Sequence, residues 1–331
     1  FSATGTALTS DVVVNSTTAN QQRFADIAMD DTGNYVIVWE SEFDVHFQRY
    51  DNAGAVQGGE VVANTTLASS QNYPSVAMDA DGDFVIVWQS LDQDGSDYGV
   101  YGQRYNAAGA AQGGEIAINT TTTGNQLSPV VAMDDNGAFA VAWVDNAADG
   151  SQEGIYARRF DATGTALAGE FLVNTTTAGA QDNPTIAMAS EGAFAVAWNS
   201  DAQDGSRNGV YQQGFNAEGT AAGVETIVNT STNLFQQFPA ISLKDKTTAT
   251  IVWQDGARND AGTTDGDNYG VFQQRYDATD LPVELLSFEV KKDEFDALLN
   301  WETATEINND YFDVEWSKDG ETFKKIGSVD G

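Results

Sequence analysis

Residues Gln71–Thr121 read QNYPSVAMDADGDFVIVWQSLDQDGSDYGVYGQRYNAAGAAQGGEIAINTT. The stretch parses into four short strands. Ser75–Asp79 is the first, and Asp81-Gly82 is a hairpin turn. Phe84–Gln89 is the second and almost wholly apolar, as a strand covered on both faces must be. Gly99–Tyr105 is the third, and Glu115–Asn119 follows a glycine-rich turn as the fourth. The pattern recurs along the chain, marked by Trp39, Trp88, Trp143, Trp198 and Trp253 at spacings of 49, 55, 55 and 55 residues. Four strands per repeat of this length predict the blades of a β-propeller, in which no blade buries its apolar face alone.

The ends of the repeat region predict how the ring closes. An aromatic residue stands 38 positions before each tryptophan: Phe1, Tyr50, Tyr105, Phe160 and Phe215. Phe1–Thr17 therefore aligns with the fourth strand of a blade, while the fifth repeat reaches Tyr276 without a fourth strand of its own. The expected fold is all-β, a five-bladed propeller over residues 1–280, with the N-terminal strand closing the last blade beside Gly270–Tyr276. Such closure leaves no unpaired edge. Ala28, Ala77, Ala132, Ala187 and Ser242 suit the crowded axis, and each tryptophan is expected to be wedged between blades as core.

Acids outnumber bases 49 to 15 across 331 residues, a net charge of −34. A surface of that sign excludes nucleic acid as a partner and suits cations, calcium included. No cysteine is present, so disulfides and thiol chemistry are excluded. No apolar run reaches the roughly 18 residues that span a bilayer. The chain starts at Phe1 without Met and reads as a processed product.

Several polar positions recur. Gln22, Gln71, Gln126, Gln181 and Gln236 each precede a tryptophan by 17 residues and are expected to satisfy backbone groups between blades. Arg49, Arg104, Arg159 and Arg275 recur on third strands and Glu60, Glu115, Glu170 and Glu225 on fourth strands, with Asp11 in the N-terminal copy, which predicts a structural pair in a blade; the fourth repeat has Gly214 in place of the arginine, so the pair is not obligatory. Asn15, Asn64, Asn119, Asn174 and Asn229 open formal glycosylation sequons and also read as turn formers.

The loops between second and third strands are acidic: LDQDGSDYG from Leu91, DNAADGSQEG from Asp145, SDAQDGSRNG from Ser200 and DGARNDAGTTDGDNYG from Asp255. They share one face, whose oxygen-rich side chains suit calcium. Asp92, Asp94 and Asp97, and Asp260, Asp265 and Asp267, are the candidate ligand sets; Asp94, Asp149, Asp204 and Asp265 are the candidate ligand-binding residues. The same Asp-Gly sequences also read as tight turns. Catalytic constellations are sparse. His46 is the only histidine, and Asp26 is the one repeat-specific acid on a first strand, where the other repeats carry Ser75, Val130, Thr185 and Ala240. Asp182 is a second acid, expected in a linker. Two carboxylates are needed for glycoside hydrolysis, so the sequence argues against an enzyme.

From Leu281 the pattern changes. Leu281-Pro282-Val283-Glu284-Leu285, Leu299-Asn300-Trp301, Thr303–Asn309 and Ser317-Lys318-Asp319-Gly320 closely resemble the fibronectin-III-like module that precedes the sorting domain in cargo of the bacterial type IX secretion system. The resemblance implies that 281–331 is part of an immunoglobulin/fibronectin-III-like β-sandwich. It also implies engagement of the type IX translocon, and release or anchoring outside a Gram-negative cell. The sequence expectation is therefore a non-enzymatic, exported adhesion module that binds a glycan through the acidic loop face. A secreted polysaccharide hydrolase and a passive structural surface protein are the alternatives.

Overall fold

A computed structural model describes residues 10–146, 150, 152–232, 235–245, 248–256 and 270–276. It also describes the strand backbone at 285–293, 296–303, 311–317 and 323–330. Every described element is a β-strand. The first sheet is β1 (Gln22–Met29), β2 (Tyr35–Ser41), β3 (Asp44–Tyr50) and β4 (Val56–Val62). The second is β5 (Gln71–Met78), β6 (Phe84–Leu91), β7 (Tyr98–Tyr105) and β8 (Ile116–Ala117). The third is β9 (Gln126–Met133), β10 (Phe139–Asp145), β11 (Gly154–Phe160) and β12 (Phe171–Leu172). The fourth is β13 (Gln181–Met188), β14 (Phe194–Asp201), β15 (Asn208–Phe215) and β16 (Ala221–Ile227). The fifth has three strands, β17 (Gln236–Asp245), β18 (Thr248–Asp255) and β19 (Gly270–Tyr276). Each is an antiparallel meander, and the architecture is that of a β-propeller. A second compact unit, Tyr276–Gly331, holds two hairpins, Leu285–Asp293 with Asp296–Thr303 and Tyr311–Ser317 with Phe323–Asp330.

Strand bounds differ from expectation at the start of each repeat. β5 begins at Gln71, four residues before the expected Ser75, and crosses Pro74. The pairing with β6 slips between Asn72 and Ser75, a β-bulge that lets the strand pass the proline, which has no N–H to give. The same slip recurs in the other sheets, so the recurrent glutamines and Asp182 lie inside strands rather than in linkers.

The core sits between consecutive sheets. Trp88 packs with Val36, Val38, Val45 and Phe47 of the first sheet. Trp143 packs with Val85, Val87 and Val100 of the second, and Trp198 with Ala142, Val144 and Ile155 of the third. All three tryptophans are fully buried. The glutamines do what their position predicts: Gln71 Nε2 donates to the Ala68 carbonyl, while its Oε1 accepts from Asn64 Nδ2. Asn64, Asn119, Asn174 and Asn229 are buried and accept from the backbone N–H of Val45, Val100, Ile155 and Val210, while half-buried Asn15 donates to the Thr17 carbonyl. They are turn formers.

Among the described residues, Arg49, Arg104 and Arg159 form no ion pair with Glu60, Glu115 and Glu170; the side chains reach across the joint instead. Glu115 accepts from Thr65 Oγ1 at 2.7 Å and Thr66 N at 3.2 Å, in the segment leaving the first sheet. Glu170 holds Thr120 N at 2.6 Å and Thr121 N at 3.0 Å, and Glu225 holds Thr175 Oγ1 at 3.0 Å. Arg49 Nη1 donates to Ala107 O and Arg104 Nη1 to Thr163 O, each at 2.6 Å, and Arg159 Nη2 donates to Ala217 O. The reason is geometric. A staggered joint brings the turn and linker of the adjacent sheet closer to these long side chains than each other.

The joint between last and first sheets departs from the rest. Inner strands pack in succession, β1 on β5, β5 on β9, β9 on β13 and β13 on β17, and the return from β17 to β1 is not packed to that extent. Val271 of β19 is 84% exposed, whereas its counterparts Val45, Val100, Ile155 and Val210 are 0% exposed. Ile27 is 55% exposed against 5% for its counterpart Val76. Residues 10–15 form no strand and Val12 and Val13 are exposed, so the expected pairing with β19 is not formed by the described residues; Phe1–Thr9 lie outside them. Immediately after, Ser16 N and Thr17 N donate to Glu60 Oε2 at 2.7 and 3.1 Å, repeating the clamp of the other joints.

Burial works to raise the Glu60 pKa, but the bonds from Ser16, Thr17 and His46 outweigh it and hold the carboxyl down at about 2. Its contribution to stability is therefore full above the unfolded value of 4.5 and is lost as pH falls from there towards about 2. Thermal melting should decline across that window, and Glu60→Gln should reduce the slope; a melting temperature indifferent to acid would rule out the clamp. Truncation of a buried joint residue, Trp143→Ala, should lower unfolding free energy by about 3–5 kcal/mol in urea titration.

Candidate functional site

The bulge near the start of every inner strand shapes the axial end of the molecule. Phe24, Tyr73, Ser128, Asn183 and Phe238 occupy the same position in the five repeats, and all have φ between 50° and 56°. Left-handed backbone is unfavourable for residues with a side chain, most of all for bulky ones, and persists where surrounding structure enforces it. Here the following residue is Ala25, Pro74, Pro129, Pro184 or Pro239, and in two repeats a side chain from the second strand of the preceding sheet holds the bulge: Ser128 N donates to Gln89 Oε1 and Phe238 N to Asn199 Oδ1.

These five bulges surround a cavity of about 550 Å³. Phe24 and Tyr73 stack with ring centroids 4.1 Å apart. Asp26 is the only charged residue on the cavity wall among the described residues. Its Oδ1 accepts from Ile27 N at 2.8 Å, and its Oδ2 accepts from Ser75 Oγ and Val76 N, each at 3.0 Å. Ser75 Oγ in turn lies 3.4 Å from Val131 N, so the carboxylate starts a polar chain across three inner strands. Three donors fix its orientation.

Two further repeat-specific acids lie off the cavity wall, and sequence reasoning passed over both. Glu40 is fully buried, pairs with Arg23 at 2.7 Å and faces it in register; its Oε2 has no protein partner. Arg23 also lies over the Phe24 ring at 5.1 Å. Glu153 precedes β11 and its carbonyl accepts from Gln181 N at the entry to β13. Burial pushes its carboxyl pKa up, and the charge of Asp182 pushes it further. Asp182 Oδ1 is held by Asn183 Nδ2 and Asn199 Nδ2 at 2.9 and 2.8 Å. Both acids were findable by aligning repeats, since Glu40 matches Gln89, Val144, Asn199 and Gln254, and Glu153 matches Tyr98 and Asn208.

The loop candidates are distributed differently. Asp92 has φ 61° and closes a turn with Asp97 and Gly95, while Asp94 Oδ1 accepts from Ser96 N. Asp204 repeats that bond with Ser206 N, and both Asp94 Oδ2 and Asp204 Oδ2 are buried without a protein partner. Asp149, Asp260, Asp265 and Asp267 lie outside the described residues. Among the described residues, no three His, Asp or Glu side chains are grouped to hold a metal. The structure thus gathers Asp26 with aromatic rings at the axis and does not gather Asp92, Asp94 and Asp97 into a ligand set.

No family model matches the sequence, and no curated protein does. Solved structures do. The GH93 alpha-L-arabinofuranosidase of Fusarium graminearum, solved with arabinobiose, is 12% identical with a TM-score of 0.51, covering 81% of each chain. The alpha-L-arabinanase of Penicillium chrysogenum, also solved with arabinobiose, is 12% identical with a TM-score of 0.50, covering 78% of this chain and 94% of the other. This is a likeness of fold. The expectation of a non-enzymatic adhesion module is corrected here, since these two structures of like fold are an arabinofuranosidase and an arabinanase.

If the surrounding sheet enforces the bulge, Ser128→Gly should keep the fold and raise unfolding free energy by up to about 1 kcal/mol, since glycine adopts positive φ freely. A loss of stability in denaturant titration would show that the Ser128 side chain, not the backbone, matters there.

Proposed function

We propose that this chain is a polysaccharide-acting glycosidase whose reaction takes place in the axial cavity. The observation that carries the reading is Asp26, a repeat-specific carboxylate on a rigid bulge, fixed by Ser75 and Val76 within a cavity flanked by aromatic rings. The fold likeness to an arabinanase and an arabinofuranosidase supports it. Hydrolysis of a glycosidic bond needs one carboxylate to attack or to activate water and one carboxylic acid to protonate the leaving oxygen. Asp26, held by donors, takes the first role. The partner acid is to be sought off the described cavity wall, where Glu40 and Glu153 are repeat-specific acids.

Asp26→Asn should lower turnover on a susceptible polysaccharide, arabinan or arabinoxylan being the first probes, by 100-fold or more, on the order of what general acid–base groups contribute. Glu40→Gln and Glu153→Gln, assayed in the same way, should identify the partner acid by a loss of similar size. Unchanged turnover in Asp26→Asn, measured by reducing-sugar release, would remove the reading.

We further infer that the ring has five blades, with the N-terminal segment standing at the joint between the last and first sheets. The Ser16 and Thr17 bonds to Glu60, matched by Thr65 and Thr66 on Glu115, support this. The second compact unit, with its two antiparallel hairpins and the motifs beginning at Leu281, is read as part of a fibronectin-III-like module of type IX cargo, which implies export to the cell surface or beyond.

A further inference from the structure

We propose that Phe24, Tyr73 and Phe238 form a stacking platform for the sugar rings of a neutral glycan chain, and that this platform, with Asp26, makes the site refuse polyuronates. The inference rests on reading the axial cavity as a polysaccharide site and names the substrate class. The three rings come from the fifth, first and second repeats, whereas the third and fourth repeats place Ser128 and Asn183 at the same position. One arc of the mouth is thus aromatic and the other is hydroxyl and amide. A sugar ring has the same division, an apolar C–H face and a polar hydroxyl edge, and a pocket that recognises it combines aromatic faces with a few directed polar groups.

The rings are not there for packing. They are between 40% and 58% exposed, and they hold left-handed backbone that a smaller residue would adopt more easily. Phe24 is held in place from two sides, by the face of Tyr73 and by the Arg23 guanidinium. That guanidinium is occupied by Glu40 Oε1, at 2.7 Å through Nη2 and 3.0 Å through Nε. The described cavity wall therefore offers no free cation, carries the carboxylate of Asp26, and belongs to a chain of net charge −34. A uronate would meet like charge with no counter-charge, while a neutral ring meets none.

The test is affinity electrophoresis in native gels. Neutral arabinan, arabinoxylan and β-glucan are run against Asp26→Asn, which binds without turnover, and polygalacturonate and alginate against the wild-type protein. Phe24→Asn and Phe238→Asn are introduced into the Asp26→Asn background, because asparagine tolerates positive φ and already occupies this position at Asn183. The expected result is retardation by at least one neutral polymer, tenfold or more weaker affinity in each asparagine variant, unchanged affinity in Tyr73→Phe, and no retardation by the polyuronates. Retardation that survives both asparagine variants, no retardation by any neutral polymer, or equal retardation by polyuronate would overturn the platform. Ring-dependent binding together with wild-type turnover in Asp26→Asn would instead sink only the hydrolytic reading, so the two failures are distinguishable.

Discussion

The fold depends on a joint between neighbouring sheets, and that joint is built from one carboxylate. In the second, third and fourth sheets a glutamate at or beside the outer strand gathers the hydroxyl and amide groups of the threonine pair leaving the sheet before it, as Glu115 does with Thr65 and Thr66. Charge-assisted bonds of this kind are short and directional. They fix the angle at which the next sheet departs, and the tryptophan can then fill the wedge behind it. Trp88, Trp143 and Trp198 are fully buried because the wedge closes on them, and the aliphatic residues beside them come from two sheets at once. Packing supplies the energy of the joint, and the glutamate supplies its geometry.

Much of this was legible in the sequence. The period of the tryptophans, the apolar second strands and the Asp-Gly turns define sheets and their order, because each is a local pattern with a local cause. The glutamine and asparagine rings were readable for the same reason, since their bonds reach backbone only a few residues away. What sequence position could not convey is which sheet a long side chain serves. Arg104 and Glu115 face each other on paper across a hairpin, yet each bonds to a different neighbouring sheet. The bulges were equally invisible. Nothing in Phe24, Tyr73 or Phe238 as residue types announces left-handed backbone, and without the bulge there is no axial aromatic arc to see. Asp26 was the exception, because comparison among repeats isolates an acid where the others carry Ser, Val, Thr and Ala.

That contrast explains why a search for motifs undervalued the site. The repeats conceal function by resembling each other, and the informative residues are the departures: Asp26, Glu40 and Glu153 among the acids, and three aromatic rings among five bulges. A rigid scaffold with interchangeable joints allows such departures at the axial ends of the inner strands, where no joint is disturbed.

The unequal exposure of Val271 and its four counterparts has a mechanical consequence. A hoop transmits stress evenly only if every splice along it is as firm as the rest. Here Val45, Val100, Ile155 and Val210 are buried where successive sheets meet, while Val271 of the last described sheet is exposed and Glu60 of the first sheet grips Ser16 and Thr17. Fraying therefore begins at the first and last sheets and spreads inward, so amide protons of β1 and β19 exchange with solvent ahead of those in β6, β10 and β14. The molecule comes apart as a peeling strip, not as a collapsing ring.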